Sequence, residues 1–423
     1  MSFPNEVVIT GVGVVSPIGI GVEAFWQSLC AGRSGVRPLE LFDATALPTR
    51  FGGEVVDFDA KQSVRPRKSL KVMSREIQLG FAAADLASTH GALASGGVDP
   101  DRFGVIFGAD VIQCLPEEFE SAYRGCIENG QFHFDRWGRA AMSETYPLWL
   151  LKHLPNMPAC HIAIAQDARG PNNSLTLGEV SSLLALAEAT TTIQRGAADV
   201  MIAGGVGTFV TPTTWSRTCN GELSRRNEEP AKAARPFDAD RDGAVQGEGA
   251  AAFVLESAAS AKSRGVPILA RVLGHARTCE PVRDDRPAGG DGIRRAIQAA
   301  LRAADIEPSD VTHVNANGIS TILGDQIEAR AIRDVLGDVP VTAPKSYFGN
   351  LGSGTGAVEA VVSVLALARG QVPHTLNYER PDPECPVHVV RGEPLAMTGR
   401  YALLLNNAAM GQVAAVVLGA GEA

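Results

Sequence analysis

The stretch from Gly170 to Gly205 constrains the fold more than any other part of the chain. It reads as an extended run, a tight turn at Gly178, a helix, and a second strand ending on Gly204-Gly205. The helix, SSLLALAEATTTI, is apolar almost all round, so it should be buried rather than laid on a surface with one face in water. Glu179 stands between the turn and this helix, where the helix dipole favours negative charge. A glutamate in a first helical turn is often a dipole-compatible surface residue. Beside so apolar a helix, Glu179 is expected to line a pocket, and an ionised carboxylate there needs partners.

Elsewhere apolar strands alternate with amphipathic helices, the pattern of an α/β protein with largely buried sheets. Strands are expected at Val7-Val15, Gly104-Gly108, Asn173-Leu177, Val200-Ala203 and Ala251-Leu255, with helices at Arg75-Ser88 and Val180-Arg195. A second half begins near Arg264. There Ile268-Leu273, His313-Asn315, Tyr401-Asn406 and Val413-Leu418 read as strands, and Gly292-Ala304, Gly324-Leu336 and Gly356-Ala368 as helices. A chain of 423 residues, 45% hydrophobic and 20% charged, buries a large core and suggests two domains of similar size, 1–258 and 259–423.

Four further segments give a resemblance. VVITGVGVVSPIGIGVEAFWQSLCAGRSGV runs from Val7; ARPFDADRDGAVQGEGAAAFVLE from Ala234, led by Asn227; HVNANGISTILGDQIEARAI from His313; and PKSYFGNLGSGTGA from Pro344. With the Gly178 elbow, they resemble the β-ketoacyl-acyl-carrier-protein synthases of the thiolase superfamily over nearly the whole chain. The resemblance implies a five-layer αβαβα fold of two pseudo-duplicated halves. It also implies that Glu179, Asn317 and Asn350 stand where the family carries its nucleophilic cysteine and two histidines. A carboxylate is a far poorer acyl acceptor than a thiolate, and an asparagine shuttles no proton near neutral pH. Lys345 matches the family lysine behind the active site, and Asp325 and Glu328 match the acids after its first histidine motif. Met410 takes the position of the gating phenylalanine whose backbone N–H, with that of Glu179, would complete an oxyanion hole. Gly411 is what survives of the adjoining glycine pair, and Ala408 and Ala244 also replace family phenylalanines.

The same resemblance implies docking of an acidic acyl carrier protein through Arg67, Lys68 and Lys71, extended by Arg225 and Arg226; a plain solvated helix start is the alternative. It places the dimer interface on ADVMIAGG, which pairs with its twin across a two-fold axis. Three functions follow. One is a non-condensing partner of an active ketosynthase, like the chain length factors of aromatic polyketide systems. Another is a repurposed enzyme with Glu179 as acid or base on an acyl thioester. The last is a homodimeric acyl-binding protein without turnover.

The net charge of −9 argues against nucleic acid as a partner. No run approaches the roughly 20 apolar residues of a membrane span, and unpaired-looking cysteines without an apolar leader suggest the cytoplasm. Cys30, Cys114, Cys126, Cys160, Cys219, Cys279 and Cys385 show no CxxC spacing, and the eight histidines lie apart, so neither a metal site nor a cofactor is expected. Cys160 and His161, read as neighbours in an extended strand, would point to opposite faces.

Overall fold

The computed structural model describes residues 6–93, 97–281 and 289–421. Its principal strands are β1 (Val7–Ser16), β2 (Phe103–Gly108), β3 (Asn172–Leu175), β4 (Val200–Thr208), β5 (Glu248–Ser257), β6 (Ala270–Cys279), β7 (Val311–Asn315), β8 (Pro340–Thr342), β9 (His388–Val389), β10 (Tyr401–Asn407) and β11 (Gln412–Ala420). The main helices are α1 (Val22–Cys30), α2 (Arg75–His90), α3 (Met157–Gln166), α4 (Ser181–Gln194), α5 (Asp291–Ala304), α6 (Ile322–Leu336) and α7 (Thr355–Arg369).

One strand order occurs twice. From β1 the sheet runs β1-β5-β4-β2-β3, with antiparallel pairing at β1/β5 and β5/β4 and parallel pairing at β4/β2 and β2/β3. From β6 it runs β6-β11-β10-β7-β8-β9 with the same senses in the same places. The two stretches meet through a short antiparallel contact, Val7–Ile9 of β1 against Ala270–Val272 of β6.

The helices then fall into layers. Helix α2 packs on β1 and β5, α5 packs on β6 and β11, and α4 and α7 pack on each other between the two sheet halves. Helix α7 touches β4 and β5 on one side and β10 and β11 on the other. That gives helix, sheet, helix, sheet, helix, the thiolase-like αβαβα arrangement. The central pair is apolar because it has no wet face: Leu183, Leu186 and Ile193 of α4 and Val358, Val361 and Val364 of α7 are all buried. Each such side chain stabilises the fold by roughly 1.5–3 kcal/mol.

Glycine lets α4 approach its sheet. A Cβ on Gly205 of β4 would lie 2.5 Å from the Ser182 side chain, and one on Gly108 of β2 would lie 2.6 Å from the Ser182 backbone nitrogen. Any larger residue would push back the helix that carries Glu179.

Several expectations need correction. The strand expected at Ile268-Leu273 starts two residues later and runs on to Cys279. ADVMIAGG is not at a sheet edge: β4 pairs with β5 on one side and β2 on the other, and burial on both faces explains its unbroken apolar sequence. The exposed edge beyond β2 is β3. Cys160 and His161 lie on helix α3, whose proline in the first turn suits a helix start, and the Cys160 sulfur accepts from Asn156 Nδ2 at 3.7 Å.

His313 of β7 is fully buried, and neither ring nitrogen has a hydrogen-bond partner among the described residues. Burial lowers its pKa from 6.5 to about 4. The folded state therefore resists protonation that the unfolded chain accepts, and stability is lost as pH falls from about 6.5 towards 4. His313→Leu is expected to remove this component, leaving a profile flatter by about 3 kcal/mol over that window. Urea denaturation of both proteins at pH 7 and pH 4.5 checks this; parallel profiles would contradict it.

Candidate functional site

The site forms where the N-terminus of α4, the loop after β7, the loop before α7 and the β10–β11 hairpin converge. Gly178 makes the elbow with φ +61°, a conformation that costs glycine nothing. Ser181 closes it, its Oγ accepting from Leu177 N at 2.8 Å and donating to Gly178 O at 2.6 Å. Glu179 is thereby half-buried at the helix start. Among the described residues its carboxylate receives one hydrogen bond, from Asn350 Nδ2 to Oε1 at 3.4 Å.

Asn350 is fixed by its backbone and by its other amide atom. Its N–H donates to Val245 O at 2.7 Å, and its Oδ1 accepts from Thr355 Oγ1 at 2.9 Å and from Gly352 N at 3.1 Å. With Oδ1 so engaged, the amide nitrogen is the atom turned to Glu179. Asn350 is thus the side-chain partner of Glu179, while Asn317 and Lys345 are engaged elsewhere.

Asn317 and Lys345 belong to a buried cluster behind the site. Lys345 Nζ donates to Asn317 O at 2.6 Å, Asn317 Oδ1 at 2.9 Å and Glu359 Oε1 at 2.7 Å. Asn406 Nδ2 donates to Glu359 Oε2 at 2.9 Å and to Asn317 Oδ1 at 3.2 Å, while Asn317 Nδ2 reaches Asn407 Oδ1 at 3.2 Å. Burial pushes the Glu359 carboxyl up to about 7 against the pull of the adjacent ammonium. Asp325 and Glu328 shape the loop that carries Asn317. Glu328 accepts from the N–H groups of Asn317 and Gly318, and Asp325 from those of Ile319, Ser320 and Phe237.

Glu359, Asn406 and Asn407 were missed in the sequence, although a signal was there. A glutamate within GAVEAVVSVLALA, and two asparagines ending LLLNN, are polar groups in runs too apolar to leave them in water.

The hairpin tip also differs from expectation. Gly411 N donates to Ala408 O at 2.9 Å, closing a tight turn that leaves the Met410 side chain 77% exposed. Met410 does not cover the site. Ala408 is the tip residue nearest the elbow, its Cβ 3.9 Å from where a Cβ on Gly178 would stand.

On the surface, Arg67, Lys68 and Lys71 are exposed on one 3-10 turn, Arg67–Val72. Arg225 is exposed, with its guanidinium on Cys219 O at 3.2 Å, and Arg226 is held by Asp240 O at 2.6 Å and by Asp242 at 3.4 Å. Those two arginines are partly committed to their own loop. The fold also brings His153 beside Cys114 and Glu118, a grouping that no ligand spacing in the sequence suggests. No helix among the described residues is long and apolar enough to cross a membrane.

The elbow, the twice-repeated sheet and the central helix pair define a ketosynthase-type fold. Residues 4–261 match the family of the β-ketoacyl synthase N-terminal domain, and residues 269–379 that of its C-terminal domain. The chain belongs to the β-ketoacyl synthase family. It is 36% identical over 405 residues to a 3-oxoacyl-[acyl-carrier-protein] synthase 2 of Synechocystis sp., covering 94% of each chain. Solved structures share the fold, and two of them bear on function. One is a type II polyketide acyl carrier protein in complex with its ketosynthase bound to the hexaketide, with a TM-score of 0.85 and 29% identity, covering 99% of this chain and 100% of that one. The other is the ishigamide ketosynthase/chain length factor, with a TM-score of 0.84 and 28% identity, covering 98% and 99%.

Proposed function

We propose that this chain is a non-condensing member of its family, a partner that pairs with an active ketosynthase as a chain length factor does. The observation that carries this reading is the contact of Glu179 with Asn350 at the elbow. Condensation needs a thiolate to hold the acyl chain and a group that polarises the malonyl carbonyl as carbon dioxide leaves. A carboxylate hydrogen-bonded to a neutral amide supplies neither. Similarity to a ketosynthase/chain length factor structure supports the pairing. Mixing the purified chain with a cysteine-bearing ketosynthase from the same genome should give a 1:1 heterodimer in native mass spectrometry. Two separate homodimers after mixing and after co-expression would count against it.

We also assign carrier-protein docking to Arg67, Lys68 and Lys71, which present exposed positive charge on an otherwise acidic protein. Similarity to a ketosynthase solved with its acyl carrier protein supports this assignment. Reversing all three charges to glutamate should weaken binding of an acidic carrier protein at least about tenfold and reduce its salt dependence. Fluorescence anisotropy at two ionic strengths measures both. Unchanged binding would move the docking site elsewhere.

A further inference from the structure

Among the described residues, one group of metal-competent side chains is gathered by the fold from separate segments. The Cys114 sulfur, a Glu118 carboxylate oxygen and a His153 ring nitrogen all lie within 4.8 Å of one another. Cys114 and Glu118 are four residues apart, and the 3-10 turn Pro116–Phe119 curls the chain between them. His153 follows a second 3-10 turn, Trp149–Lys152. The two turns are packed together by the rings of Phe119 and Trp149, whose centroids are 5.1 Å apart in an edge-on arrangement. The contact brings the turn that carries Glu118 against the one that precedes His153.

We propose that Cys114, Glu118 and His153 bind a divalent cation of the zinc class. The donor set is one sulfur, one nitrogen and one oxygen, which suits a borderline-soft ion and does not suit magnesium or calcium. His153 Nε2 lies 3.0 Å from Glu118 Oε2, and both side chains are largely withdrawn from water, at 7% and 17% exposed. Lys152 Nζ holds the other carboxylate oxygen at 3.1 Å, which orients Oε2 towards the imidazole. Zinc bonds of about 2.0–2.3 Å place tetrahedral ligand atoms about 3.3–3.7 Å apart, so the His153–Glu118 pair at 3.0 Å has to open slightly while separations of up to 4.8 Å close by up to about 1 Å. On binding, the ion replaces the Cys114 thiol proton and any proton shared between the imidazole and the carboxylate, and those protons pass to solvent.

Three protein ligands leave a fourth coordination position. Glu118 and His153 also line a cavity of ≈ 180 Å³ together with Met73, Glu76, Thr208 and Thr211, so a water or another oxygen ligand has room to complete the site. The ion would brace the chain on both sides of the segment between the two turns, where Tyr123, Ile127, Phe132, Phe134 and Met142 present large apolar side chains to solvent.

The test uses the full chain stripped of metal by a chelator and dialysed. Titration with zinc should show one ion per chain, and cobalt in its place should give a thiolate-to-metal charge-transfer band. Cys114→Ser and His153→Gln should each weaken zinc binding on the order of 100-fold, with the cobalt band abolished in Cys114→Ser. Cys279→Ser, which alters an exposed thiol away from the group, should leave both unchanged. If a ligand variant fails to fold, the cobalt spectrum of the unaltered protein before and after alkylation of its thiols decides the matter. Equal zinc affinity in the parent and Cys114→Ser, or a cobalt spectrum without a sulfur band, would overturn the site.

Discussion

Lys345→Met is expected to destabilise the protein by about 3–5 kcal/mol, the range for removing one partner of a buried ion pair. The side chains of Lys345 and Glu359 are each 3% exposed, and methionine would leave the Glu359 carboxylate with Asn406 as its remaining side-chain donor. Two Asn317 oxygens would lose their shared ammonium as well. The loss should depend on pH in a defined direction. The Glu359 carboxyl titrates near 7 in the folded protein, above its unfolded value of 4.5, so its ionisation opposes folding as pH rises through that interval. Without the ammonium its pKa rises further, so the two profiles diverge above pH 7 and run parallel below it, and the variant should recover stability relative to the parent as the pH falls from 8 towards 7. Changing Glu359 to methionine at the same time should recover part of the loss at pH 8, since no orphaned charge then remains. Urea midpoints of the parent, single and double variants supply the comparison; equal losses at pH 6 and pH 8 would contradict the buried-pair account.

Glu179→Cys is expected to give the chain a thiol that takes up an acyl group. The elbow holds residue 179 at the start of a fourteen-residue helix, where unpaired backbone N–H groups and the dipole stabilise a thiolate. The new sulfur should accept an acyl chain from a carrier thioester, seen as a mass increase of the intact protein, while the parent shows none. It should still form no carbon–carbon bond. The Asn350 amide is tied to Thr355 and Gly352, and Asn317 is tied to Lys345 and Asn406, so neither delivers or removes a proton during decarboxylation. Acyl uptake without condensation would separate the missing nucleophile from the missing proton chemistry. The same variant series tests the alternative in which Glu179 works on an acyl thioester: identical hydrolysis by the parent and Glu179→Gln would end that alternative.

Those expectations rest on parts of the molecule that the sequence carries unequally. The elbow was legible because Gly178, Glu179 and a helix with no polar face occur in one stretch, so local chemistry and burial agree. The paired halves were legible for a similar reason, since β1, β4, β5, β10 and β11 are each apolar and bounded by glycine or polar turns. What escaped depends on contacts between distant segments. ADVMIAGG reads as an interface strand by resemblance, but its neighbours on both sides come from residues about a hundred positions upstream and fifty downstream, and only pairing reveals that it is interior. Lys345 was visible as a residue, while its partner Glu359 was masked inside an apolar helix. Met410 sits at a turn tip whose direction is set by the Ala408–Gly411 hydrogen bond rather than by side-chain type. Cys114, Glu118 and His153 share no spacing that a linear reading associates with a metal; two 3-10 turns brought together by Phe119 and Trp149 create the cluster.

As a non-condensing partner, this chain would contribute to acyl-chain assembly without forming the bond itself. The most direct measurement is a radiolabel assay with acyl- and malonyl-loaded carrier protein, run with the purified chain alone, with a cysteine-bearing ketosynthase alone, and with both. The chain alone should give no labelled product, and combining the two should change product length or yield. Labelled β-ketoacyl product from the chain by itself would contradict it.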